Sequence, residues 1–321
     1  MPMRPHSSVR PGRPPVPAVH LARDHPDEVV RDLLRSGAWE RIGRGVYLPT
    51  NELPGPERRR EVALGRIAGV HRRLRTDHWF SHESAALIWG LALWSSPDTT
   101  HLYQPHRAGA HADPLVTHHV GVPADAERCM VSGLPVTSLE RTIVDCAVTL
   151  PPLRTLVLAD SAARLPADVD TVDRLLAART GRRGSARARA ILALADAGAE
   201  SPGESAARFV VLRDGLPVPD TQISIETRLG TFWADLGWEG WRLLLEYDGR
   251  TKYVGRELER FMEEKRRHDA VLETGRRILR VTKEDLSGSI LTRRILEQAP
   301  GAVAAQLRPR RELMTPPSAR S

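Results

Sequence analysis

Two cysteines among 321 residues, Cys129 and Cys146, are too few for a disulfide framework. Neither they nor the twelve histidines show the close pairwise spacing of zinc ligands. Reduced thiols in a cytoplasmic protein are the expectation. Long apolar runs are also missing: the longest, Ala85–Trp94, is about half of what a bilayer-crossing helix needs. The first 20 residues are rich in Pro, Arg and Ser and lack the apolar centre of a signal peptide, so a disordered arm is expected there. No glycine-rich phosphate loop and no Ser/His/Asp pattern stands out, which removes nucleotide-binding and triad-hydrolase readings. Lysine is the scarcest charge. Of 47 basic residues only Lys252, Lys265 and Lys283 are lysines, and where arginine is so preferred a lysine marks a place for a compact amine.

What is present concentrates between Gln222 and Leu286. Three short runs, Gln222–Arg228, Thr231–Leu236 and Trp241–Tyr247, alternate as strands, with turn signals at Leu229-Gly230 and across Gly237–Gly240. A charged helix over Arg256–Thr274 is stopped by Gly275, and a fourth strand, Arg276–Val281, leads to Thr282 and Asp285 in capping-box-like spacing. Acids fall at the strand ends: Asp235 on the second strand, Glu246 and Asp248 on the third. Period-2 alternation sets Glu246 and Asp248 on one face, and a hairpin brings Asp235 to them. Carboxylates so gathered repel one another. A hard divalent cation, Mg²⁺ or Mn²⁺, is the natural countercharge, and such an ion activates water and stabilises charge on a phosphodiester.

These residues carry a resemblance. Asp235, Glu246-Tyr247-Asp248-Gly249, Lys252-Tyr253, Glu264-Lys265-Arg266-Arg267, Gly275 and Arg280-Val281-Thr282 resemble the restriction-endonuclease-like PD-(D/E)XK superfamily, in its very-short-patch-repair (Vsr)-like branch. Glu204-Ser205-Ala206-Ala207-Arg208 resembles the glutamate-bearing first helix of that fold. The resemblance covers roughly residues 200–298. It implies an αβββαβ domain that hydrolyses DNA with Mg²⁺. Asp235, Glu246 and Asp248 would hold the metal, Glu204 would position or deprotonate water, and Lys252 or Lys265 would steady the transition-state charge. Arg208, Arg266 and Arg267 would face DNA. The sequence departs from the family's core at Asp248, which stands where the lysine would be.

Upstream, Pro26-Asp27-Glu28 opens a helix with an apolar stripe of Val29, Val30, Leu33 and Leu34, closed by Gly37. Trp39–Ile42 and Val46–Leu48 then form a hairpin around Gly43-Arg44-Gly45, with Arg41 and Arg44 on it. This looks like the end of a winged helix and resembles the N-terminal region of AbiEi-type antitoxin and regulator proteins, which implies promoter DNA as a partner. The pieces SHESAALIWGL and VTSLERTIVDCA resemble the middle region of the same proteins. His82, Glu83, His118 and His119 there read as capping and solvated strand residues. The organisation expected is a disordered arm (1–20), a partial winged-helix-like module (21–55), an AbiEi-like middle region (56–150), a helical connector (151–200), the endonuclease-like domain (201–300) and a disordered basic tail (308–321). The fold class is α/β, α+β overall.

Net charge is +7 with a pI near 10.0, which suits nucleic acid, but the excess is +4 in residues 1–200 and +3 in 201–321, so charge alone locates no DNA-binding domain. Two functions remain: a Mg²⁺-dependent DNA endonuclease, or an antitoxin-like DNA-binding transcriptional regulator whose nuclease-like fold is inactive. The clustered acids favour the first, because a pure binding module gains nothing from acids where phosphates dock. A double-strand cut needs two active sites, met by a homodimer or by two successive nicks.

Overall fold

The computed structural model describes residues 12–107, 109, 112–249 and 257–314. The protein is α+β and divides into two compact units. The first comprises Pro11–Thr149 with Pro166–Ala186; the second takes Leu150–Leu165 and everything from Arg187 onward. The helical stretch expected as a connector at 151–200 is thus shared between the units.

The first unit opens with β1 (His20–Leu21), α1 (Asp27–Arg35), β2 (Trp39–Gly43) and β3 (Val46–Pro49), the strands ordered β1-β3-β2. Residues 12–20, expected as part of a disordered arm, are tied down here: Val19 is buried and His20 pairs with Tyr47. Gly37 closes α1 at φ +73°, the left-handed position its place after the apolar stripe calls for. Helix α2 (Gly55–Arg73) then lies across the hairpin at close range. A Cβ on Gly65 would stand 2.8 Å from Ile42 Cδ1, and one on Gly69 2.5 and 2.7 Å from the Val46 methyls. Gly69→Ala is therefore expected to lower stability by about 1–2 kcal/mol, overpacking outweighing alanine's better helix propensity. A urea titration checks this, and an unchanged or raised midpoint would refute the close approach.

A five-stranded sheet follows, built from β4 (Trp79–Phe80), β5 (Thr100–Gln104), β6 (Val116–Val120), β7 (Arg128–Val131) and β8 (Leu134–Thr137) in the order β6-β5-β4-β8-β7. Helices α3 (His82–Trp89) and α4 (Leu139–Thr149) belong to this region, and Phe80, Leu87, Ile88, Leu102 and Val136 form its core. Past Thr149 come α5 (Pro152–Ala162) in the second unit and α6 (Val169–Ala177) in the first. The chain continues through α7 (Ser185–Leu192) to α8 (Pro202–Arg213).

The second unit is centred on a four-stranded sheet: β9 (Asp220–Thr227), β10 (Gly230–Trp238), β11 (Leu243–Tyr247) and β12 (Arg277–Val281), with α9 (Glu257–Glu273) between the last two. The order is β12-β11-β10-β9, antiparallel except for the parallel β11–β12 pair that the α9 crossover permits. Both faces are covered. Val211 and Leu212 of α8 pack with Leu236, Leu245 and Val281, while Val271 of α9 packs with Ile223, Ala234 and Leu244. Helices α10 (Ile290–Leu296) and α11 (Val303–Gln306) complete the unit. Gly275 ends α9 at φ +77°, as its position after the charged helix predicts.

Two expectations need correction. The turn read across Gly237–Gly240 begins later: Gly237 and Trp238 are the last residues of β10, and a 3-10 turn over Glu239–Trp241 reverses the chain. Gly237 serves close packing, since a Cβ there would stand 2.5 Å from the Leu243 carbonyl oxygen. The second concerns the tail. Arg308 N–H donates to Gly215 O (3.2 Å), Arg310 N–H to Arg213 O (3.0 Å), and Leu313 is fully buried. Residues 308–314 are ordered because Leu313 anchors them in the core; 315–321 lie outside the described residues.

Candidate active site: carboxylates at the strand ends

Helix α8 starts at Ser201, whose hydroxyl accepts the Glu204 N–H (3.2 Å), and Glu204 Oε2 reaches back to accept the Glu200 N–H (2.8 Å). This satisfies two N–H donors at the helix start and fixes the direction of the Glu204 side chain. Next to Glu204, Gly203 lies against the Tyr247 ring so closely that a Cβ would stand 2.0 Å from it. The first turn of α8 is thereby set over the end of β11.

Asp235 and Glu246 come from the hairpin. Carrying the Leu236↔Leu245 register one step further sets Asp235 opposite Glu246, and Asp235 Oδ2 accepts the Tyr247 N–H (2.8 Å). Side-chain alternation breaks at this point. Ala234 belongs to the cluster with Val271 of α9, whereas Leu236 belongs to the cluster with Leu212 of α8. Alongside, Gln222 of β9 takes a left-handed φ of +49°. The local irregularity re-aims Asp235, as bulged strands beside active sites do.

The electrostatics are those of like charges held together. Burial, then the charge of Asp235, pushes the Glu204 carboxyl up to about 7. Burial also lifts Asp235 to about 6, with Glu246 and Glu200 adding to the rise while the Tyr247 N–H and Arg267 oppose it. Among the described residues Arg267 is a cation that reaches the group: its guanidinium meets Glu246 Oε1 (3.1 Å), donates to Trp233 O (3.0 Å) and lies over the Phe232 ring. Asp248 is exposed just past β11, its N–H donating to Val281 O (2.8 Å). Two half-buried carboxylates thus face each other across a hairpin, with a third from α8 and, among the described residues, Arg267 as a partial countercharge.

No family model matches the chain. Two curated relatives, the uncharacterized proteins MT2308 (Mycobacterium tuberculosis strain CDC 1551 / Oshkosh) and Rv2248 (strain ATCC 25618 / H37Rv), are each 30% identical over 278 residues. The match covers 85% of this chain and 93% of each relative. The chain belongs to their family. Among solved structures, the RV2827C protein from Mycobacterium tuberculosis is similar at a TM-score of 0.36 and 20% identity, covering 64% of this chain and 82% of that one.

In this member of the Rv2248 family the sequence-derived residues separate into groups. Glu204, Asp235 and Glu246 are brought together. Lys265 and Arg266 are exposed on α9. Arg267, two residues and about 200° around the helix from Lys265, is the one that turns to the acids. Lys252 and Tyr253 lie outside the described residues. Arg41 and Arg44 are exposed at the β2–β3 hairpin. Arg208 is a correction. It is 3% exposed and bonded to Asp160 (2.9 Å) and to the Leu194 carbonyl, because it lies on the inward side of α8, so it is a core ion pair and not a phosphate contact. Sequence reasoning also missed a group in the first unit. Among the described residues, the three ligand-type side chains whose atoms all lie within 4.8 Å of one another are His82, His101 and His119, not the acids. Intervals of 19 and 18 residues give no local motif; only pairing β5 with β6 reveals them.

Proposed function

We propose that this protein is a Mg²⁺- or Mn²⁺-dependent DNA endonuclease of the restriction-endonuclease-like, Vsr-like kind, acting in the cytoplasm in repair or defence. The observation that carries the reading is the crowding of Glu204, Asp235 and Glu246, with the Glu204 and Asp235 carboxyls both pushed up. Arg267 offsets this charge only in part, and a fold that needs the acids only for stability has no reason to keep the remainder. The αβββαβ order from α8 to β12 supports it, as do the unpaired thiols of Cys129 and Cys146 for the compartment. Asp235 and Glu246 would hold the ion, with Asp248 joining from the segment after β11. When bound, the ion supplies charge stabilisation at the phosphate and a more acidic water. Glu204, with its carboxyl near neutrality, takes the proton from the attacking water. The new P–O bond forms as the bond to the leaving oxygen breaks, and that oxygen is protonated by solvent. Lys252 would steady the transition-state charge; Lys265, exposed on the side of α9 away from the acids, does not take that part.

The test is nicking of supercoiled plasmid with Mg²⁺ or Mn²⁺, wild type beside Asp235→Ala and Glu246→Ala. Metal-dependent nicking in wild type and a loss of about a hundredfold or more in both folded variants is expected. One observation favours the alternative, an antitoxin-like DNA-binding regulator with an inactive nuclease-like fold. The β1-β3-β2 sheet presents exposed Arg41 and Arg44 on a wing-like hairpin. Salt-sensitive DNA binding lost in Arg41→Ala/Arg44→Ala, with no nicking by wild type on duplex, mismatched or single-stranded DNA, would replace the endonuclease with the regulator.

A further inference from the structure

The parallel pair β5–β6 places Tyr103 beside His119 and His101 beside Thr117, so alternate residues of both strands share one side. His82, the first residue of α3, stands on that same side, its ring 4.0 Å from His119 and 5.4 Å from His101 between centroids. His101 Nδ1 and His119 Nε2 are 3.1 Å apart. Two nitrogens each about 2.0–2.1 Å from one tetrahedral ion are separated by about 3.3 Å, so the pair already has the spacing of two imidazoles on one metal.

The outer contacts orient the rings. Ser81 Oγ takes His82 Nδ1 (3.0 Å), leaving Nε2 for the cluster, and Thr99 Oγ1 takes His101 Nε2 (3.2 Å), turning Nδ1 inward. This is how metal-ligating histidines are held, the nitrogen away from the metal engaged by a polar partner. Below them Tyr103 donates to Asp145 Oδ2 (3.1 Å), and Arg141 bonds both Asp145 and the Tyr103 hydroxyl (2.9 Å), which fixes the floor. His82 is 6% exposed and holds φ +49°, a conformation unusual for a histidine and kept only where the surroundings demand it.

We propose that His82 Nε2, His101 Nδ1 and His119 Nε2 form a site for one divalent transition-metal ion of the zinc class, with the remaining coordination position open to water or an added ligand. Three histidines with no carboxylate select against Mg²⁺ and for imidazole-seeking ions, so this site is separate in chemistry from the carboxylate cluster.

The experiment is Co²⁺ titration of tag-free, chelator-stripped full chain, followed by visible absorption and then by displacement with Zn²⁺. One Co²⁺ per chain with ligand-field bands, displaced by Zn²⁺, is expected, and it persists in Asp235→Asn. His101→Gln and His119→Gln, both partly exposed strand positions, abolish the bands while circular dichroism stays native. Thr99→Val weakens binding about ten- to hundredfold. His118→Gln leaves binding intact, because His118 faces Gln104 on the other side of β6. Absence of saturable uptake by wild type, or bands unchanged in folded His119→Gln, would overturn the site.

Discussion

Asp235→Asn is expected to make the metal-free protein more stable at pH 7 while abolishing metal-dependent nicking. Asparagine keeps an oxygen for the Tyr247 N–H, and it removes the charge that Glu246 and Glu204 oppose. The sign follows from the titration. The Asp235 carboxyl lies at about 6 in the fold against 3.8 in its ordinary state, so the folded protein binds the proton more tightly than the unfolded chain. The stability this carboxyl contributes is complete below about pH 4 and is lost as pH rises through about 6. The melting-temperature gap between Asp235→Asn and wild type should therefore be near zero at pH 4 and grow to its full size by pH 7. That size is on the order of 1–3 kcal/mol. Adding Mg²⁺ should close the gap by stabilising wild type alone, since an ion that binds only the folded state stabilises by mass action. A variant less stable than wild type at pH 7, or a gap that ignores pH, would mean that Asp235 is compensated and no cation is called for. Loss of function with gain of stability at one carboxylate separates a working site from a structural acid.

How far the sequence reaches can be seen at this same residue. Asp235, Glu246 and Glu204 were identifiable because their chemistry depends on a hairpin and a helix start, and both have strong local signals: Ser201-Pro202 before α8 and the strand alternation of β10 and β11. The αβββαβ order was legible for the same reason, and Gly37 and Gly275 marked helix ends by φ alone. What failed were claims that depend on which side an element turns. Period-2 alternation breaks at Asp235 itself, where Ala234 and Leu236 join different clusters. Helix α9 offers Lys265, Arg266 and Arg267 in succession, and only packing against β10 decides that Arg267 faces the acids. Strands β4, β7 and β8 are only two to four residues long, too short to show a period, so the five-stranded sheet was not read. Without that sheet His101 and His119 could not be seen as neighbours. The histidine group is a product of long-range pairing, which no window along the chain contains.

The buried pair Arg208–Asp160 should produce the largest single-residue stability loss in the second unit. Arg208 on α8 is 3% exposed and Asp160 on α5 is 0% exposed, with 2.9 Å between them. Asp160 Oδ1 also accepts the Asp196 N–H (2.9 Å), and the guanidinium reaches the Leu194 carbonyl, so three segments meet on one ion pair. Burial raises the Asp160 carboxyl to about 6 in spite of the adjacent guanidinium. Desolvation therefore exceeds what the partner returns, as is common for buried ion pairs. Removing Arg208 strands Asp160 in the core, and removing Asp160 leaves the guanidinium with only Asp196, 3.7 Å away, and the Leu194 carbonyl. Asp160→Ala and Arg208→Ala should each cost about 3–5 kcal/mol, read as a shift of the urea midpoint, whereas Asp160→Leu combined with Arg208→Met should recover most of the loss. A single-variant loss below about 1 kcal/mol would refute the pairing. Arg208 also separates stability from recognition. If it met DNA, its replacement would lower the salt dependence of binding, since each phosphate contact contributes to that slope. As a core residue it leaves the slope of the still-folded fraction unchanged. The same Arg208→Ala preparation thus distinguishes an arginine that ties α5, α8 and the segment after α7 together from one that holds a phosphate.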